Sequence, residues 1–120
     1  MKIKEIISEI NSLKANQYGD GEKIKWLAEL DGAIKHDFYD EYGIECSFSG
    51  YDETDSETEL LAPDTYKGMY IHYLEAKIDY WNGEYARYNN SIVMFNNAYQ
   101  QFEAWWTAHH KKSKNNKFRW

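Results

Sequence analysis

Two groups of acidic and histidine side chains are the candidates for metal chemistry in this sequence. The first is His36 with Asp37 and Asp40. Residues four apart share one face of a helix, so His36 and Asp40 would point the same way. Acidic residues are also common on the exposed faces of helices, and we therefore interpret this group as a solvated helix surface without a metal ligand.

The second group is the run DETDSETE, residues 52–59, whose carboxylates are the kind of oxygen ligand that Ca²⁺ prefers. An EF-hand loop requires glycine at its sixth position and glutamate at its twelfth. Counted from Asp52, those positions hold Glu57 and Pro63. We therefore interpret the run as a solvated acidic loop and predict no metal site.

No pattern typical of an enzyme is present. The sequence has no glycine-rich phosphate loop, no nucleophile elbow and no His-Glu-x-x-His pair. His72 lies among tyrosines, where a structural histidine is the better interpretation than a general base. His109 and His110 are adjacent and would point in different directions on a helix. We expect neither catalytic activity nor a bound cofactor.

The charge balance disfavours nucleic-acid binding by the molecule as a whole. The chain carries 14 basic and 20 acidic residues, for a net charge of -6, whereas binding to phosphates requires positive charge. Only Lys67, Lys77 and Arg87 are basic between residues 66 and 106. The aromatic rings of that region therefore lack the interleaved cations that single-stranded nucleic acid requires.

Length and composition predict one soluble domain. With 120 residues the chain is long enough for a single core, and we assign residues 1–109 to one helical domain and residues 110–120 to a basic tail. Cys46 is the only cysteine, which excludes an intramolecular disulfide and is typical of a reducing cytoplasm. No stretch has the roughly 20 apolar residues of a membrane-spanning helix.

Apolar residues at helical spacing predict two helices in the first third of the chain. The first covers residues 2–13 and the second residues 21–41, with Asp20 as the N-cap of the second. Gly43 follows at a position where glycine readily adopts the left-handed conformation that ends a helix. The apolar positions of the two helices are Ile3, Ile6, Ile7, Ile10, Leu13, Ile24, Leu27, Leu30, Ile34 and Phe38.

The segment from 44 to 64 has a different character. It holds seven acidic residues and no lysine or arginine, which predicts a long acidic connection between helices 2 and 3. Within it, the segments CSFSGY and TELLA could form two short strands with alternating faces, so a β-hairpin is one alternative. Pro63 stands where proline is favoured, in the first turn of the next helix.

Apolar residues then recur every three or four positions from residue 66 to residue 106. Read literally, this pattern is one helix of about 60 Å, whereas a compact domain of this size has a radius of gyration near 14 Å. A hairpin that turns at Asn82-Gly83 is favoured because its two halves bury their apolar stripes against each other, and one unbroken helix is the alternative. The predicted fold is an all-α small helical bundle.

The aromatic residues of this region exceed what one core-facing stripe can hold. The predicted core seam is Tyr88, Ile92, Phe95, Tyr99, Phe102 and Trp106. Large side chains on other faces are typical of protein interfaces, as is a basic tail that ends in aromatic residues. The candidate interface residues are therefore Tyr80, Trp81, Val93, Met94, Trp105, Lys111, Lys112, Lys114, Lys117, Phe118, Arg119 and Trp120.

Several of these segments carry a resemblance to a known family. The residues that carry the resemblance are Glu59-Leu60-Leu61, Pro63, Tyr66, the segment YIHYLEAKIDYWNGEYARYNN, Phe95-Asn96, Tyr99 and the Trp105-Trp106 pair. In these residues the chain resembles small helical head-tail connector, or adaptor, proteins. Such proteins are encoded among the head genes of tailed phages and prophages of Gram-positive bacteria. The resemblance covers residues 20–109 and rests on packing residues, without catalytic residues to transfer.

The resemblance implies a structural subunit that assembles into a ring, twelvefold by expectation, beneath the portal protein. The ring would extend the DNA channel, let DNA pass as cargo, and receive the next connector or tail-completion protein. Its location would be the bacterial cytoplasm during assembly and the virion neck afterwards. The alternative is a small phage-encoded regulator that binds a host protein through its acidic surface.

Overall fold

The computed structural model describes residues 1–111, and in that part the chain is all-helical, as predicted. A π-helix extends the second α-helix over Lys35–Asp40, and 3-10 turns lie at Glu53–Asp55 and Asp64–Tyr66. Residues 1–111 contain no β-strand. The α-helices are α1 (Ile3–Leu13), α2 (Asp20–Ile34), α3 (Lys67–Trp81) and α4 (Tyr85–His109).

Helix α1 is anchored by four isoleucines on one face. Ile3, Ile6, Ile7 and Ile10 are all buried, and burying a side chain of this size stabilises the fold by about 1.5–3 kcal/mol. The Lys2 backbone N–H donates to the carboxylate of Glu5 at 2.8 Å, which satisfies a free donor at the helix start. The predicted helix over residues 2–13 is confirmed.

Helix α2 differs in detail from the prediction. It begins at Asp20, with Gly19 in the capping position and no side-chain cap. Beyond Ile34 it does not continue as a regular α-helix but widens into the π-helix. The wider turn carries Phe38, whose ring lies 5.0 Å from that of Phe102. Gly43 follows with a φ of 70°, which confirms the predicted left-handed glycine.

Helices α3 and α4 form the predicted hairpin. The chain turns at Asn82-Gly83, where Gly83 has a φ of 74° and donates its N–H to the Tyr80 carbonyl at 3.0 Å. Glycine costs a helix interior only about 1 kcal/mol, so glycine alone would not impose the break. Folding back places Tyr73 of α3 against Phe95 of α4, with ring centroids 5.2 Å apart.

Only part of the predicted seam of α4 is fully buried. Phe102 and Trp106 are 1% and 3% exposed, while Tyr88, Ile92, Phe95 and Tyr99 are half-buried. The difference follows from the neighbours of the helix. Near its C-terminal end α4 packs against both α3 and the π-helix, and nearer its start fewer elements cover it.

Helix α3 is the central element of the bundle. It packs against α1, α2 and α4, and its side chains Met69, Tyr70, Leu74 and Ile78 are completely buried. Buried side chains of all four helices join one apolar cluster. This position explains why apolar residues occur on several faces of α3, since each face meets a different helix.

The alternative of a β-hairpin within residues 44–64 is wrong. Backbone groups near the end of this segment bond to the start of the chain, and its internal backbone hydrogen bonds form turns within residues 52–58. Ile3 donates to the Thr58 carbonyl at 3.0 Å, Lys4 donates to Ser56 at 2.9 Å, and Leu60 donates to Met1 at 3.0 Å. The acidic segment is thus a long connection, as predicted, that lies along α1 and is held by hydrogen bonds.

A buried carboxylate holds the same segment from the other side. Asp31 of α2 has no exposed surface and accepts hydrogen bonds from the Tyr70 hydroxyl at 2.6 Å, from the Leu61 N–H at 3.1 Å and from the Tyr51 hydroxyl. Tyr70 in turn accepts from the Ala62 N–H at 3.0 Å. Burial raises the pKa of the Asp31 carboxyl, and these hydrogen bonds oppose that effect.

Replacing Asp31 with asparagine tests this arrangement. The amide offers one acceptor oxygen where the carboxylate uses two, so one of the donors from Tyr51, Tyr70 and Leu61 would lose its partner. We expect Asp31→Asn to lower the free energy of unfolding by about 2–3 kcal/mol in urea denaturation. Glu45→Gln, the same change at an exposed position of the loop, should stay within about 0.5 kcal/mol. Equal effects of the two variants would contradict this account.

Candidate protein-interaction surface

The residues with potential metal chemistry are engaged locally. The ring of His36 lies 3.1 Å from the Asp37 carboxylate, and Asp40 pairs with Lys35 at 3.1 Å. Within residues 1–111 no three histidine, cysteine or carboxylate side chains are placed to hold a metal ion. The arrangement fits the interpretation of this group as a helix surface.

The carboxylates of the acidic run form a turn and ion pairs. Asp52 caps the 3-10 turn by accepting from the Thr54 N–H at 2.8 Å. Glu57 binds Lys4 and Lys2, the latter at 2.9 Å. These two lysines, Lys4 foremost, lower the pKa of the Glu57 carboxyl to about 2. The run therefore ties the connection to α1.

The remaining histidines also have local partners. The His72 ring contacts the Glu75 carboxylate at 2.8 Å, one turn further along α3. His109 and His110 lie 2.8 and 3.0 Å from the carbonyl oxygens of Trp105 and Trp106. Each histidine thus has a structural contact that accounts for its placement.

Within residues 1–111, exposed aromatic side chains cluster at the tip of the α3–α4 hairpin. Tyr80, Trp81 and Tyr85 are 47%, 61% and 61% exposed. Their rings are in contact, because the Tyr80 centroid lies 5.4 Å from Trp81, 6.0 Å from Tyr85 and 5.5 Å from Tyr88. Single exposed apolar residues are normal, whereas a contiguous group of this kind is typical of an interaction site. We call these four residues the aromatic tip.

Buried polar contacts fix the aromatic tip to the bundle. Asp79, which precedes Tyr80, is 1% exposed and accepts from Lys14 Nζ at 2.7 Å and from Ser91 Oγ at 2.9 Å. The Tyr18 hydroxyl donates to Asn82 at 2.8 Å. The tip is therefore held in place before any partner binds, which reduces the entropy lost on binding.

A groove of about 190 Å³ lies beside the aromatic tip. Lys77 is its one charged lining residue, and its Nζ atom is 3.1 Å from the Glu29 carboxylate and 5.4 Å from the Tyr73 ring centroid. The groove is thus largely apolar and aromatic, which suits the insertion of a partner's side chain. Its lining consists of Tyr73, Ala76, Lys77, Tyr80, Trp81 and Tyr88.

Two further candidate residues lie on α4, away from the tip. Val93 and Met94 are 55% and 50% exposed. Met94 lines a groove of about 340 Å³ between α3 and α4, together with Gly68, His72 and others. Both side chains are available to a partner.

The remaining candidate interface residues are Trp105 and the basic and aromatic residues that follow α4. Trp105 is half-buried, with its ring 5.7 Å from Tyr66 and 5.9 Å from Phe102, so much of it is already packed within the molecule. Lys111 is exposed. The other tail residues lie outside the described part of the chain, namely Lys112, Lys114, Lys117, Phe118, Arg119 and Trp120.

Two exposed residues at this end were missed by the sequence analysis. Tyr85 belongs to the aromatic tip, and Leu13 is 61% exposed directly before Lys14, which reaches Asp79. The predicted turn at Asn82-Gly83 was a usable signal for Tyr85, since a residue just after a hairpin turn lies at its end. Leu13 continues the periodicity of α1, and nothing in that pattern shows that the buried stripe ends before it.

The fold and this surface define a small all-helical protein that presents a rigid aromatic tip. We found no match to this chain among protein-family models, curated proteins or solved structures. In residues 1–111, no helix combines the length and the apolar character required to cross a membrane.

The contact between Lys14 and Asp79 can be tested by mutation. Lys14→Met removes the cation but leaves the buried Asp79 carboxylate, which then keeps only the Ser91 hydroxyl. We expect the free energy of unfolding to fall by about 3 kcal/mol, measured by urea denaturation. Lys25→Met, at an exposed position of α2, is the matched control and should change stability by less than about 0.5 kcal/mol. A loss of that small size for Lys14→Met would show that the pair does not anchor the tip.

Proposed function

We propose that this chain is a structural protein of a tailed phage, a head-tail connector that docks beneath the portal protein and joins other copies in a ring. The aromatic tip is the observation that carries the proposal. Three contacting aromatic side chains, each about half exposed or more, stand at the end of a fixed hairpin. Tyrosine and tryptophan dominate the energetics of protein interfaces, so this end of the molecule is suited to insertion into a partner.

The two ends of α4 offer two docking surfaces. The helix has 25 residues and is thus about 37 Å long, with the aromatic tip at its start and the basic segment 110–120 after its end. We assign the aromatic tip to the portal protein. The basic segment follows the other end of α4 in the sequence, and we assign it to the next connector or tail-completion protein.

The charge of the chain is compatible with a DNA channel. A net charge of -6 disfavours retention of DNA by phosphate neutralisation, so DNA would pass through the ring as cargo. The ring we propose is twelvefold and extends the channel of the portal. Its subunits would be present in the host cytoplasm during assembly and in the neck of the finished virion. The resemblance described above supports these assignments.

Substitution at the aromatic tip tests the portal contact. We expect Trp81→Gln to weaken binding to the portal protein encoded in the same genome by about 30-fold or more, since loss of a central aromatic anchor costs about 2 kcal/mol or more. Binding is measured by surface plasmon resonance with immobilised portal rings. The fold should be unaffected, because the side chain is 61% exposed, and its thermal unfolding serves as the check.

Trp81→Phe is the matched variant, since it keeps an apolar ring at the same place. It should retain most of the affinity. If the original chain does not bind portal rings, or if Trp81→Gln binds as tightly as the original, the assignment of the tip is wrong. A location of the gene away from portal and capsid genes would count against the connector role itself.

A further inference from the structure

The outer face of α4 is unusual for an exposed helix surface because none of the side chains along its centre is charged, although the exposed Glu103 lies at its edge. From Tyr88 to Phe102 the helix contains no acidic or basic residue. A row of exposed side chains recurs along this face every three or four positions, and its member Asn97 also lines the groove between α3 and α4. We call this row the α4 ridge, and its members are Asn90, Val93, Asn97, Gln100, Ala104 and Thr107.

The chemistry of the α4 ridge restricts the partners that it fits. Amide side chains both donate and accept hydrogen bonds, and they cost less to bury than charges. A strongly charged partner would require opposite charge on the ridge, which is absent. Two copies of a chain with a net charge of -6 repel each other, and a ridge whose members are uncharged adds nothing to that repulsion.

A second surface on another side of the molecule offers matching groups. A groove of about 900 Å³ lies between α1, the start of α2 and the 3-10 turn of the acidic segment. Its polar lining includes the Lys4 ammonium, the hydroxyls of Ser8 and Ser12, the Asn11 amide, and the carboxylates of Asp20 and Glu53. The Asn11 oxygen already accepts from Lys23 Nζ at 2.7 Å, which leaves the NH₂ group of Asn11 to donate. We call this the α1–α2 groove.

The α1–α2 groove is large enough to receive part of a helix. The α1 helix is 11 residues long, about three turns. Half of a helix 10 Å wide, embedded along three turns, occupies about 640 Å³, so the α1–α2 groove has room for the exposed half of α4 over that length. The amides of the ridge would then face hydroxyls, an amide and carboxylates, each of which can pair with an amide donor or acceptor.

We propose that the α4 ridge of one copy packs into the α1–α2 groove of a second copy. The contact joins two different surfaces of identical chains, and such head-to-tail contacts close into rings when the rotation permits. This inference rests on the proposed function, because the contact joins the subunits of the ring proposed there. Val93 is the only large apolar side chain of the ridge, so the free chain should associate weakly, in the micromolar to millimolar range.

Complementary blocking variants test the contact on the free, full-length chain. Asn97→Glu places a charge on the α4 ridge, and Ser8→Glu places one in the α1–α2 groove beside Asp20 and Glu53. Both positions are exposed, and circular dichroism checks the helical content. Ser49→Glu adds the same charge to the acidic segment, outside both surfaces, as the control.

Sedimentation equilibrium up to millimolar concentration should show association of the original chain and of Ser49→Glu. Each blocking variant alone should remain monomeric, with at least a tenfold weaker association. An equimolar mixture of Asn97→Glu and Ser8→Glu should form pairs with twice the mass of one chain and nothing larger, because each chain supplies one intact surface. This rescue distinguishes a head-to-tail contact from a symmetric contact between two α4 helices.

Three results would overturn the inference: a monomeric original chain at millimolar concentration, association of Ser8→Glu at the strength of the original chain, or a mixture that stays monomeric. Portal binding is measured separately through Trp81. If Trp81 remains essential for portal binding while the ridge and groove variants have no effect on association, the connector role stands and the subunit contact lies elsewhere. If the original chain does not bind the portal but the ridge and groove variants weaken its self-association, the subunit contact stands and the connector role is wrong.

Discussion

The Asp31 carboxylate is the interaction on which the arrangement of the rest depends. It has no exposed surface and joins α2, α3 and two points of the acidic connection through Tyr70, Tyr51 and Leu61. A buried charge is stable only when its hydrogen bonds are satisfied, so these donors must stay together for the fold to persist. The carboxylate therefore turns a long acidic loop into a fixed part of the molecule. That fixed segment supplies one wall of the α1–α2 groove.

A second buried carboxylate holds its donors together at the other end of the bundle. Asp79 binds Lys14 and Ser91 and so fixes the last turn of α3 between α1 and α4. The aromatic tip projects from that point. Exposed aromatic rings on a flexible hairpin would lose entropy when a partner ordered them, whereas rings on an anchored hairpin are already in place. The buried polar residues thus explain why apolar surface can be exposed at the tip without loss of a defined structure.

Periodicity predicted the helices because it depends on local spacing, whereas the hairpin is favoured by the size of a compact domain and by the burial of two apolar stripes against each other. The left-handed glycine at Gly43 and the exposure of Tyr80, Trp81, Val93 and Met94 could also be derived from local sequence. Contacts that join distant parts of the chain could not. Nothing in the sequence near Asp31 indicates that Tyr51 and Tyr70 donate hydrogen bonds to it. The spacing of apolar residues by three or four positions does not distinguish a π-helix from an α-helix. Trp105 is half-buried because its ring packs against that of Tyr66, and the apolar pattern of α4 alone does not predict this contact.

The central claim is that this chain uses an aromatic tip to dock on a portal ring. Electron cryomicroscopy of the chain bound to the portal protein encoded in the same genome tests it most directly. The account predicts a closed ring of chains beneath the portal, with the rings of Tyr80, Trp81 and Tyr85 in contact with portal residues and α4 extending away from them. A complex in which the aromatic tip faces solvent while another surface meets the portal would contradict the account.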